Sequence, residues 1–124
     1  MIQLENNNNY ILDILSLINS LQKKSSCIET NNSCAKPILG DNNIVLYNTR
    51  PISFYLCNNE PLTVSYSDGE TSIFRVENID GNCVTVRILV TGEDNTITAT
   101  NEFATINIGC IAAIKCLNDI NLTL

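Results

Sequence analysis

A mainly β fold, an antiparallel β-sandwich or barrel-like sheet preceded by one N-terminal amphipathic α-helix, is what this chain of 124 residues predicts. From residue 44 onward, short runs rich in Val, Ile, Thr, Tyr and Phe alternate with clusters of Gly, Asn, Asp and Pro, the spacing of an all-β domain. Ahead of them one stretch carries its apolar residues at helical spacing instead. A hydrophobic fraction of 44% in a chain of this length supports one unit with a buried core, spanning 1–124.

The helix is predicted over 10–24. Ile11, Ile14, Leu15, Ile18 and Leu21 share one face, Asn9 stands as N-cap, and Lys23 and Lys24 complement the C-terminal dipole. Leu12 and Leu17 fall outside that stripe and leave apolar surface to pack on the domain or a neighbouring molecule. Residues 25–36, rich in Ser, Cys, Asn and Thr without periodicity, read as a cysteine-bearing loop, and the β-domain follows over 37–124.

Strands are predicted at Ile44–Tyr47, Ile52–Cys57, Leu62–Tyr66, Ser72–Ile79, Cys83–Thr91, Thr96–Ala99 and Ala104–Leu117. A three-residue loop, Asp80-Gly81-Asn82, would set Phe74, Val76 and Asn78 opposite Ile88, Val86 and Val84. Arg75, Glu77 and Arg87 then share the other face with Thr85, Ile79 and Cys83, with Glu77 diagonally near Arg87. That charged trio is a candidate subunit interface, and Cys83 points outward. Alternation leaves Cys57 on the polar side of its strand. In the last strand Cys110 and Cys116 share the parity of Ile106, Ile108 and Ile114, which favours buried thiols unless Gly109 marks a bulge that flips the remainder.

Several function classes drop out. The chain has no His, so Cys-His pairs and Ser-His-Asp triads cannot be built, and no enzymatic role is expected. Asp41, Glu60, Asp68, Glu70, Asp80, Glu93 and Asp94 sit in or beside turns, where solvated carboxylates are ordinary. Seven Lys and Arg against a net charge of −6 give no basic stripe for nucleic acid. The six cysteines show no close C-x-x-C pairing, so zinc and other cofactors are not expected. No apolar run is long enough to span a membrane, and the amino terminus lacks the pattern of a signal peptide, which points to synthesis in a reducing cytoplasm. Cys27, Cys34, Cys57, Cys83, Cys110 and Cys116 are therefore candidates for disulfide crosslinking after the surroundings become oxidising, with Cys57 or Cys83 expected between molecules.

An ordered set of motifs also carries a likeness. Pro37-Ile38-Leu39-Gly40, Asn48-Thr49-Arg50-Pro51, Ser72 through Asp80 leading to Cys83, Val86-Arg87-Ile88-Leu89, and the ending Cys110 through Ile120 together resemble the spore coat and exosporium proteins of the CotZ, CotY and ExsY type. The resemblance implies a structural protein made in the mother cell and assembled on the spore surface. It implies symmetric rings, commonly hexamers, tiling into a two-dimensional lattice tied by disulfides, alongside other coat proteins. Cys27, Cys83, Cys110 and Cys116 stand where the family's cysteines fall, whereas Ile111 and Ala112 stand where extra cysteines can occur, which implies sparser crosslinking. The rival reading is a non-lattice β-sandwich that anchors other spore-surface proteins or glycans.

Overall fold

The computed structural model describes residues 10–23 and 47–124. The cysteine-bearing loop, with Cys27 and Cys34, the Pro37–Gly40 motif and most of the strand expected at Ile44–Tyr47 lie outside the described residues. Tyr47 itself is not in a strand.

Helix α1 occupies 10–23. Its buried face is Ile11, Leu15, Ile18 and Gln22, three or four residues apart as one helical stripe requires. Leu21, expected on that face, is 41% exposed, because Gln22 takes the inward position in the last turn. Leu17 is exposed as its spacing demands.

Seven strands follow: β1 (Ile52–Leu56), β2 (Val64–Tyr66), β3 (Gly69–Thr71), β4 (Ile73–Asp80), β5 (Cys83–Thr91), β6 (Ile97–Asn107) and β7 (Ile111–Cys116). Five of them form an antiparallel sheet in the order β6-β5-β4-β1-β7, and β2 and β3 form a separate hairpin. The hairpin turn is Ser67-Asp68, and Gly69–Thr71, between two of the predicted strands, forms a strand of its own that pairs with Val64–Tyr66.

The link from β6 to β7 shows how strongly the sheet curls. These strands are the two margins of the sheet, so in a flat sheet they would lie four spacings, about 19 Å, apart. Between Asn107 and Ile111 runs only a 3-10 turn, Ile108–Cys110, and four residues span at most about 14 Å. The margins must therefore approach each other, wrapping the apolar face around the core. Ile52, Phe54, Phe74, Val76, Val84, Val86, Ile88, Ile106, Ile108 and Ile111 make up that core with the helix residues Ile11, Leu15 and Ile18. Phe54 and Phe74 stack at its centre, ring centroids 5.8 Å apart.

Register in the β4–β5 hairpin departs from the expectation at one end. Phe74 pairs with Ile88 and Val76 with Val86, as the apolar pattern demands. Nearer the turn, Asp80 pairs with Cys83, leaving a two-residue loop, Gly81-Asn82, in place of the three-residue loop. Gly81 takes φ 61°, the positive value that a tight hairpin asks of its first loop residue. A bulge between Val76 and Asn78 absorbs the extra residue. Asn78 consequently meets Thr85 rather than Val84, and Ile79 meets Val84 and packs on the core instead of sharing the outer face.

Further along, Thr96–Ala99 and the start of the predicted last strand fuse into one strand, β6, with irregular register where Ile88 faces it. The 3-10 turn then interrupts the expected Ala104–Leu117 strand. Gly109 does mark a flip: Ile111 is buried and Cys110, expected inward by parity, is exposed. A second irregularity between Tyr55 and Leu56 restores the expected parity, so Ile114 packs on the core opposite Phe54, and Cys116, opposite Ile52, is exposed at the strand's end instead of buried as expected.

Candidate functional site: a polar buckle and a thiol rim

Between β4 and β1 the sheet is held by a single pair, Ile52 with Phe74, and the strands part beyond it. Returning chain covers one stretch of β1, with the Leu62 N–H donating to the Phe54 carbonyl at 2.9 Å and the Leu56 N–H to that of Glu60 at 2.8 Å. Gln22 seals the other side of the seam. Its amide donates to the Val76 carbonyl at 2.8 Å and its oxygen accepts from the Arg50 N–H at 3.1 Å. One buried glutamine thus ties α1 to both halves of the sheet.

Arg50 begins the second assembly, which joins the segment before β1 to the tail after β7. Thr49 and Ile120 exchange backbone hydrogen bonds as an antiparallel bridge. The Asn48 side chain copies a strand backbone: its Nδ2 donates to the Leu122 carbonyl at 2.9 Å and its Oδ1 accepts from the Leu122 N–H at 2.9 Å. Arg50 grips Asp119 with two bonds, 2.6 Å and 2.9 Å. That hydrogen bond holds the Asp119 carboxyl below the usual carboxylate range and raises Arg50 further. Leu21, Tyr47 and this ion pair line a shallow depression.

The charged trio completes the network. Arg75, 8% exposed, donates to Thr49 Oγ1 at 2.8 Å, to Glu77 Oε2 at 2.6 Å and to the Asn48 carbonyl at 3.0 Å. Arg87 donates to the same Glu77 oxygen at 3.1 Å, to the Thr100 carbonyl at 3.0 Å, and lies over the exposed Phe103 ring with its carbon 4.6 Å from the centroid. Arg75 and Arg87 are direct cross-strand partners, a repulsive pairing that the carboxylate of Glu77 between them offsets. The bulge removes Glu77 from the ladder, beside both arginines. Sequence reasoning placed these three on one face as a candidate subunit interface, and did not foresee that they bond to one another and to Asn48 and Thr49. It gave no role to Gln22, Asn48, Thr49 or Asp119, although the Asn48–Pro51 motif and an acid in the ending were in view.

The cysteines form the third feature. Cys57, Cys83, Cys110 and Cys116 are all exposed free thiols. Three of them gather along one rim. Cys83 pairs with Asn107, three residues before Cys110, and the Cys57 thiol points at the Cys110 carbonyl, Sγ to O 3.9 Å. Cys116 stands apart at the far end of β7, opposite Ile52. Among the described residues no group of three or more Cys, Asp or Glu could hold a metal ion. Nor is any described helix long and apolar enough to cross a membrane.

Comparison with known proteins gives one match. A family model described as spore coat protein Z covers residues 3–102, from ahead of α1 to the middle of β6. The match stops short of the Cys110–Ile120 ending, which the structure ties to the matched portion through Asn48, Thr49 and Arg50. No curated protein and no solved structure matches.

Proposed function

Since the chain belongs to the spore coat protein Z family and so to the structural proteins of the spore coat, we propose that it builds the outer layer, coat or exosporium, by self-assembly. In this reading residues 1–124 act as one assembling unit made in the mother cell. Copies meet through heterologous contacts that close into rings, hexamers by the family likeness, and the rings tile in two dimensions. Disulfides among Cys27, Cys34, Cys57, Cys83, Cys110 and Cys116 then convert a reversible array into a layer that resists denaturant and limits permeation. Thiols stay reduced in the mother-cell cytoplasm and oxidise once lysis exposes the layer.

The placement of the four described thiols carries this reading: all are exposed, at two separated parts of the sheet, so one copy can present sulfur to neighbours on more than one side. The face bearing Arg75, Glu77 and Arg87 is the proposed subunit contact. Its charges are satisfied within the chain, so it offers a stiff surface with the Phe103 ring exposed upon it. No catalytic step is assigned.

Electron microscopy of the purified chain alone tests the proposal. Ordered rings or sheets under reducing conditions, made resistant to denaturant by oxidation, are expected. A chain that stays monomeric at high concentration in both states would leave the rival reading, an anchoring module for other surface proteins or glycans.

A further inference from the structure

We infer that Cys57 and Cys110 close on each other within one chain, an in-chain disulfide that leaves Cys83 and Cys116 as the described thiols able to join copies. The inference refines the crosslinking role proposed above and rests on it for the part played by the other two thiols.

The ladder between β1 and β7 ends with Leu56 opposite Ile111, so the next positions to oppose each other are 57 and 110. Within the ladder, opposed Cα atoms lie about 4.5–5.5 Å apart, inside the range of about 4.4–6.8 Å that a disulfide accepts, and Cys57 and Cys110 sit one step beyond its last pair, where the chain enters a turn on one side and leaves the 3-10 turn on the other. The Cys57 sulfur already lies 3.9 Å from the Cys110 carbonyl oxygen, which sets the two residues side by side at the end of the ladder. Both thiols are exposed to an oxidant. By contrast, Cys83 is paired with Asp80 and Asn107, and Cys116 with Ile52, so neither faces a cysteine in the sheet.

Closure needs an oxidant, and a small-molecule disulfide suffices. The thiolate of one cysteine attacks it, forming a mixed disulfide and releasing one thiolate. The second cysteine's thiolate then attacks the protein-bound sulfur, forming the Cys57–Cys110 bond and releasing the other half. Two protein thiols are oxidised and one small disulfide is reduced to two thiols. The new bond would staple the start of β7 to the end of β1, where the sheet's margin begins.

The test treats the dilute full-length chain with oxidised glutathione and maps non-reduced peptides from the monomer fraction. A linked Cys57–Cys110 peptide is expected, with a rise in melting midpoint of roughly 5 °C or more that Cys57→Ser abolishes and Cys83→Ser keeps. Recovery of Cys57 and Cys110 from that monomer as free thiols or glutathione adducts would overturn the inference. So would loss of intermolecular crosslinks in the Cys57→Ser/Cys110→Ser double variant, since it would make this pair the link between copies. Array formation is scored separately under reducing conditions, so a failure of self-assembly and a failure of the in-chain bond give different results.

Discussion

The buckle and the thiol rim hold the same curled sheet by different means. At the buckle, polar side chains substitute for absent backbone pairing: Gln22 spans the seam, Asn48 imitates a strand, and Arg50 and Arg75 reach across to Asp119, Thr49 and Glu77. At the rim, backbone carries most of the pairing, with the Asn107 side chain accepting from the Gly109 N–H at 2.9 Å. The Ile108 N–H donates to the Asn82 carbonyl at 2.8 Å, β5 pairs with β6 to its first residue, and the cysteines hang outward with little packed on them. The difference teaches where each region's tolerance lies. Side chains are expected to matter more to stability at the buckle than the exposed thiols do at the rim, which would free those thiols for chemistry after folding.

Substitutions can break that contrast, and the strongest blow should fall on the network's acid. Glu77→Gln leaves Arg75 facing Arg87 with no carboxylate between them, and denaturant titration should show a loss of about 3 kcal/mol. An effect no larger than that of a surface change would mean the trio is not a structural unit. Next comes Gln22→Ala, which orphans the Val76 carbonyl and the Arg50 N–H at the seam. Chemical unfolding should report about 2 kcal/mol lost, with amide exchange at Arg50 accelerated.

A smaller, pH-dependent effect belongs to Asp119. Its folded pKa lies below the ordinary 3.8, so its contribution is present above that value and fades as pH falls through the lowered one. The Arg50–Asp119 side chains are 36% and 34% exposed, which limits the pair to about 0.2–1 kcal/mol. Asp119→Asn should therefore melt earlier than the parent at neutral pH, and the two curves should converge in strong acid. A gap that persists there would assign the loss to packing instead. The smallest effect is expected at the rim: Cys83→Ser under reducing conditions should shift stability by no more than about 0.5 kcal/mol. A larger loss would show that the rim, too, relies on its side chains.

Much of the fold was legible in the sequence because it rests on local periodicity. The helix over 10–23, β1, and β5 to the residue follow from apolar spacing and turn composition, and the core pairs Phe74 with Ile88 and Val76 with Val86 follow from sorting faces. What escaped is what periodicity cannot carry. A bulge shifts register without leaving a compositional mark, so Ile79 was assigned to the wrong face. A 3-10 turn shifts parity within three residues, which moved Cys110 to the surface, whereas Cys116 keeps its parity with Ile114 and is exposed because it ends its strand. The buckle joins residues some seventy positions apart, and nothing in the local pattern around Asn48 or Arg50 says that Leu122 and Asp119 are their partners.

The brief link between β6 and β7 bears on what kind of aggregate this chain can make. Fibrils of the cross-β type lengthen by adding strands to margins that stay open and straight. Here the far end of one margin is drawn toward the beginning of the other, so a recruited strand running along β6 would meet the chain's own crossing before completing its course. Among the described residues this shape disfavours endless strand-by-strand stacking, so the assembly proposed above would have to grow through contacts between faces and loops instead.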